Sequence, residues 1–233
     1  MKDYSLDLAA PLLRERLRNW LAAAPHVAAS GDAGFADDGE TAVRPPLAPA
    51  SVLKPAAVLI LVINHSHQPT VLFTQRTAHL IDHAGQISFP GGRVEDGDRD
   101  PTHTALRETE EETGVAAARI EVLGTIPQYT TGTGYLITPV VGWIEPPVAY
   151  VPDPTEVEEC FEVPFDFVAD ARNHRVESAM YKGRMRSYIS VPFGKRYIWG
   201  ATAGMLVSLT RVLAHAQGGA FQPPVTMALD SGY

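Results

Sequence analysis

At 233 residues and 45% hydrophobic side chains, the chain is long enough for one well-buried core with some appended material, and two full domains would be tight. A formal net charge of -8 argues against a broad nucleic-acid or membrane-binding surface, though not against a local basic pocket. Cys160 is the lone cysteine, which excludes an internal disulfide and fits a reducing compartment. It reads as a small buried apolar residue, with a reactive nucleophile as the alternative. Residues 1–5 are not followed by an apolar run with a cleavage site, and no uninterrupted apolar segment reaches about 18 residues, so a soluble cytoplasmic protein is expected.

In chain order, residues 7–23 place Leu13, Leu17, Trp20 and Leu21 at helical spacing and predict an amphipathic helix docked on the domain. The stretch 25–55 is rich in Ala, Gly, Pro and Asp without a period and reads as a linker or long loop, whose Arg44, Pro45 and Pro46 could drape over a site. Residues 56–63 are a continuous apolar run of buried-strand length, and 71–75 form a second strand after a polar turn, giving a hairpin with His65 and His67 in its solvated turn. A short strand at 86–89 delivers the chain into Pro90, Gly91 and Gly92, where two glycines let the backbone approach a phosphate or metal.

Asp100 and Pro101 suit a helix N-cap and first turn, and Gly114 is the expected terminator. Within that helix Glu108, Glu111 and Glu112 stand at i, i+3 and i+4 and share one face, while Glu110 points elsewhere. Like charges about 4 Å apart repel by roughly 4 kcal/mol at an effective dielectric of 20, so a cation belongs beside them. A lysine could serve, but three carboxylates without nearby His or Cys suit a hard ion such as Mg²⁺ or Mn²⁺. The alternative is a solvated acidic face. Arg107 can pair with Glu111 at i+4. Further on, 119–126 and 136–144 read as strands around a loop at 127–135, a plausible substrate wall whose Tyr129 and Tyr135 either stack on a base or pack. Residues 185–191 and 196–199 predict a late hairpin, 201–216 a closing helix, and the chain from Gly218 a loose tail.

The run from Arg107 to Val115 resembles the R-E-U-x-E-E-x-G-U half of the Nudix box, where U is aliphatic. The upstream half departs from the general G-x5-E-x7-R pattern: Asp98 stands for the Glu, one extra residue precedes Arg107, and Thr109 takes a usually aliphatic position. Such a box is similar to that of the coenzyme A pyrophosphatase branch. So is the preceding signature, carried here by Leu72, Phe73, Thr74, Gln75, Arg76, Thr77, Gly85 and Phe89 to Gly92, with Thr77 in place of Ser or Ala and Ile81 in place of a second Arg. The branch's E-V-x-x-x-F-x-x-P run is matched by Glu156, Val157, Phe161 and Pro164, and its late W-G-x-T-A stretch by Trp199 to Ala203.

The resemblance implies an α/β fold, an α/β/α sandwich around a mixed β-sheet, over residues 51–216; the spacing and composition make residues 1–50 an N-terminal helix and linker and 217–233 a tail. It implies that Glu108, Glu111, Glu112 and the backbone of Gly92 hold Mg²⁺ or Mn²⁺, with Glu156 a further ligand or base. Arg107 would orient the carboxylates and salt-bridge Asp98. Arg76, Gly91, Gly92 and Tyr129 are the expected substrate contacts, and Glu111 and Glu156 both remain candidates for the base. The expected activity is metal-dependent cleavage of coenzyme A or acyl-CoA to adenosine 3′,5′-bisphosphate and 4′-phosphopantetheine or its acyl form. The alternatives are another diphosphate substrate (ADP-ribose, NADH, a dinucleoside polyphosphate, an oxidised nucleotide) or a nucleotide-binding regulator without catalysis. The partner is a small nucleotide rather than nucleic acid or membrane, and a homodimer is compatible with the sequence.

Overall fold

The computed structural model describes residues 10–23, 30–31, 53–78, 85–181, 184–218 and 223–226. The expected drape at residues 44–46 and the signature position Ile81 lie outside them. In chain order the elements are α1 (Ala10–Ala23), β1 (Ser30–Gly31), β2 (Lys54–Ile63), β3 (Thr70–Arg76), β4 (Ile87–Ser88), β5 (Gly91–Arg93), α2 (Pro101–Thr113), β6 (Glu121–Thr125), β7 (Tyr129–Thr130), β8 (Tyr135–Ile144), β9 (Val157–Pro164), α3 (Phe165–Ala169), β10 (Arg175–Tyr181), β11 (Arg184–Phe193), β12 (Arg196–Trp199), α4 (Gly200–Ala216) and β13 (Val225–Thr226). Among the described residues no helix is long and apolar enough to cross a membrane.

The apolar run of β2 is the centre of the fold because both of its faces are covered. Ala57, Leu59, Leu61 and Ile63 pack with Ala105 of α2, whereas Val58, Ile60 and Val62 join the core made with α1, α4 and the late strands. A strand buried on both sides carries no alternating polar residues. Each fully buried Leu or Ile there contributes roughly 2 kcal/mol. Along one edge β2 runs parallel to β8, from Lys54 opposite Tyr135 to Ile63 opposite Ile144. Its other edge is divided: Val62 and Ile63 pair antiparallel with β3, and Ala56 to Val58 pair with β5. The expected hairpin is therefore only two residue pairs long, since β3 diverges to lie along β9.

The result is a mixed sheet with α2 on one face and α1 and α4 on the other, the sandwich expected from the sequence. Three features differ from expectation. A second sheet, ordered β12-β11-β10-β13, closes the α4 side. Its strand β10 escaped the sequence reading because Arg175, Glu177 and Ser178 hide the alternation. The loop at 127–135 contains β7, paired with both β1 and β8, and the tail contributes β13, parallel to β10. The N-terminal helix does dock on the domain: Leu13, Leu17 and Leu21 are core residues, and Arg14 and Arg18 both pair with Glu121 of β6.

Candidate functional site

Helix α2 starts where its sequence says it should. The Asp100 carboxylate accepts from His103 N at 2.8 Å, Pro101 fills the first turn, and Gly114 ends the helix in the left-handed region (φ 73°) while donating its N–H to Glu110 O. Thr109, the departure at an aliphatic position, is fully buried without an orphaned hydroxyl, because Oγ1 donates to Ala105 O at 2.6 Å.

Asp98 and Arg107 form the anchor of the site. The nearly inaccessible Asp98 carboxylate accepts from Arg107 Nε and Nη2, both at 3.0 Å, from Thr104 Oγ1 at 2.9 Å and from Glu95 N at 3.0 Å, and it contacts His103 Nδ1 at 2.9 Å. The Arg107 bonds, with the Glu95 N–H next, hold Asp98 far below the usual carboxylate range, and the same bonds raise the Arg107 guanidinium. Asp98 N donates to Glu95 O, closing a turn at 95–98 that presents the carboxylate to Arg107. From this anchor Arg107 Nη1 reaches Glu111 at 2.9 Å and Glu108 at 3.0 Å.

Both glycines allow a close approach that a side chain would disturb. Gly91 (φ 153°) pairs with Val58, and a Cβ on it would lie 2.3 Å from Ala57 O. A Cβ on Gly92 would lie 2.4 Å from the Glu108 carboxylate, which rests directly on that backbone. Beside it the Glu112 carboxylate is 5% exposed and accepts Gly91 N–H at 3.3 Å. Burial pushes Glu112 up to about 8, against the Gly91 hydrogen bond and Arg76, with Glu108 and Glu156 adding to the rise. Burial likewise raises Glu108, opposed by Arg107 and reinforced by Glu111 and Glu156. Glu111 is more exposed, its side chain 58% accessible.

Arg76 ends β3 and points between Glu112 and Glu156, with Nη1 3.9 Å and 3.8 Å from their oxygens. Both distances exceed a hydrogen bond, and the buried Nε has no partner among the described residues. Glu156 arrives just before β9, its carbonyl accepting Thr77 N at 3.0 Å. The loop before it caps the C-terminal end of α2: Val151 N donates to Thr113 O at 2.8 Å and Asp153 N to Glu112 O at 3.1 Å. Arg76, Gly91, Gly92, Arg107, Glu108, Glu111, Glu112 and Glu156 are thus brought together.

Tyr129 is not among them and is corrected here. It is 1% exposed in the core, and its hydroxyl occupies the space beside Gly204 of α4, so the ring has no face to offer a base. Tyr135 is more open and lies under the guanidinium of Arg93, whose Nη2 donates to its hydroxyl at 2.6 Å. His65, expected in a solvated turn, contacts Glu162 at 2.7 Å. Glu162 also accepts from Thr70 and Tyr150, a network spanning some ninety residues of chain that no local motif announces. Cys160 is half-buried, and burial together with the Glu112 and Glu159 carboxylates pushes its thiol up to about 11, which disfavours a thiolate nucleophile.

Among the described residues no three His, Cys, Asp or Glu side chains form a ready-made metal cage. The donor set nevertheless fits a hard divalent ion. It consists of oxygens only, and one of them belongs to a buried carboxylate whose charge is left poorly compensated by protein alone.

A NUDIX domain model matches residues 53–183. The chain is 38% identical to an uncharacterized Nudix hydrolase, NudL, of Pectobacterium atrosepticum, over 71% of this chain and 85% of that one. It is 39% identical to the Escherichia coli K12 protein of the same name, over 66% and 80%. Among solved structures, a MutT/nudix family protein from Enterococcus faecalis aligns with a TM-score of 0.46 at 17% identity, covering 72% of this chain and 65% of that one.

Proposed function

The chain belongs to the Nudix family and is a Nudix hydrolase, and from that premise we propose that it is a divalent-cation-dependent pyrophosphohydrolase of coenzyme A or its acyl derivatives. The reading of the substrate rests on the signature around Arg76 and Glu156, and one observation carries it. The Arg76 guanidinium lies between Glu112 and Glu156, with its Nε unpartnered among the described residues and its contacts to both carboxylates too long for hydrogen bonds. A planar cation with free donors beside an oxygen-donor cluster suits a diphosphate.

Glu108, Glu111, Glu112 and the backbone carbonyl of Gly92 would hold Mg²⁺ or Mn²⁺. When bound there, the ion supplies positive charge to the diphosphate and makes water a better nucleophile at neutral pH. The chain's own residues do the rest. Arg107 fixes the orientation of Glu108 and Glu111 from the Asp98 anchor, Arg76 holds the phosphates, and a carboxylate takes the proton of the attacking water as the anhydride bond to the departing phosphate breaks. Glu156 suits that last role better than Glu111, since Glu111 is already bonded to Arg107 whereas Glu156 has, among the described residues, only the distant Arg76.

The test is product analysis with Mg²⁺ or Mn²⁺ on coenzyme A, acetyl-CoA, ADP-ribose, NADH and diadenosine polyphosphates. The expected result is cation-dependent release of adenosine 3′,5′-bisphosphate at a specificity constant above the rest of the panel. Cleavage of another diphosphate with coenzyme A untouched overturns the substrate while leaving the site; no cleavage with either cation overturns both.

A further inference from the structure

Arg196 opens β12 and reaches out of the second sheet to the mixed one. Its Nη1 donates to Gln75 Oε1 at 2.8 Å, its Nη2 meets Glu159 Oε1 at 2.5 Å, and its guanidinium lies over the Phe161 ring, 4.3 Å from the centroid. Gln75 and Glu159 face each other across the β3–β9 pair, and the register slips immediately afterwards, so that Arg76 lies opposite Val157 and Glu158 is left over. One side chain therefore ties both strands at the last regular pair before the bulge that delivers Arg76 and Glu156 to the site. Side chains alternate along a strand, so Gln75 shares the face of Phe73 while Arg76 shares that of Leu72. Phe73 belongs to the α4-side core and Leu72 to the α2-side core, which puts Arg196 behind the sheet, opposite the carboxylates.

The same grip continues to the glycine loop. Phe161 stacks on Phe73 at 5.8 Å and Phe73 on Phe89 at 4.9 Å, and Phe89 is the residue before Pro90, Gly91 and Gly92. On the front face Arg76 makes no short side-chain bond among the described residues, so its pose follows the backbone frame: Arg76 N to Gln86 O at 2.9 Å and Thr77 N to Glu156 O at 3.0 Å.

We propose that Arg196 is a positioning residue for this reaction: by bridging Gln75 and Glu159 it fixes the β3–β9 bulge and thereby aims Arg76 at the substrate phosphates. The inference rests on the reading of Arg76 as the phosphate contact. A lysine cannot reproduce the fork, which needs two donors in a plane and a flat face over Phe161.

The experiment is a cycle of R196M, R76M and the double variant, with R196K alongside, on the diphosphate that the enzyme cleaves best, with melting temperatures for each. Because misplacement of a substrate-positioning group by about 1 Å costs up to a hundredfold, R196M is expected to raise KM about tenfold while kcat changes less than about threefold. R196K should fall between it and the wild type. In the double variant the loss should be no greater than in R76M alone, since Arg196 acts through Arg76. If R76M raises KM and R196M does not, or if the two losses multiply, Arg196 is only a structural clasp and the inference is overturned while the role of Arg76 stands. If R76M leaves KM unchanged, the phosphate role of Arg76 falls and this inference with it. Should R196M fail to fold, R196K and Gln75→Met carry the same cycle.

Discussion

Replacing Glu112 by Gln separates what this carboxylate does for the fold from what it does for the chemistry. The side chain is 5% exposed and, without a cation, is pushed up to about 8 from the ordinary 4.5 of a glutamate, chiefly by burial. A carboxyl raised on folding binds more protons in the native than in the unfolded state, so its contribution is neutral below about pH 4.5 and becomes a penalty as pH rises. The gap between 4.5 and 8 corresponds to under about 1 kcal/mol of lost stability at pH 5, about 3 kcal/mol at pH 7 and roughly 4 to 5 kcal/mol above pH 8. A Gln keeps an acceptor for Gly91 N–H and has no charge to bury. The expected outcome, from urea denaturation in chelator, is that E112Q is nearly as stable as wild type at pH 5 and exceeds it by about 3 kcal/mol at pH 7. Turnover should be abolished, and Mg²⁺ should stabilise the wild type more than the variant. A stability gap that stays flat between pH 5 and pH 8 would refute the reasoning, because it would mean that Glu112 is ionised at no cost.

Two further substitutions probe the neighbouring packing. Gly92→Ala puts a methyl group 2.4 Å from the Glu108 carboxylate; the free end of Glu108 yields, so the melting temperature should hold nearly steady while kcat/KM falls about a hundredfold, as displaced catalytic groups commonly cost. Gly204→Ala drives a methyl against the buried Tyr129 hydroxyl at 2.4 Å, and should cost about 1 to 3 kcal/mol of stability with KM unchanged; a raised KM in a stable G204A protein would restore Tyr129 to the substrate site.

What the sequence made legible was what depends on near neighbours. Asp100, Pro101 and Gly114 define α2 through its own backbone donors and acceptors, and the i, i+3, i+4 spacing of Glu108, Glu111 and Glu112 follows from helix geometry. The β2 run was legible because a strand covered on both faces has no polar period to confuse it. The rest depends on partners far along the chain. The Arg196 bond to Gln75 spans 121 residues and the His65 contact with Glu162 spans 97, so neither has a local signature. Tyr129 misled for the same reason: its loop carries turn residues, yet pairing of β7 with β1 and β8 turns the ring inward beneath α4. The bulge opposite Arg76 is likewise a property of β3 and β9 together.

The net charge of -8 poses an electrostatic problem for an anionic substrate, and the site concentrates it rather than relieving it. Among the described residues the arginines paired with Asp98, Glu108, Glu111, Glu112 and Glu156 are Arg76 and Arg107, and Arg107 is committed to Asp98 at two bonds and to Glu111 at a third. On the proposed reading, what remains for a diphosphate among the described residues is Arg76, hemmed by two carboxylates. The bare cluster therefore repels the ligand that the Arg76 geometry suits. Cation and diphosphate must then favour each other's binding by equal factors, since linkage is reciprocal. On the proposed metal site the raised Glu112 belongs to the same arrangement: a carboxylate left poorly compensated by the fold is a stability loss in the bare protein and would be a source of cation affinity in the loaded one. The two effects cannot be tuned independently, which is why a single substitution at Glu112 should strengthen the fold and remove the activity together.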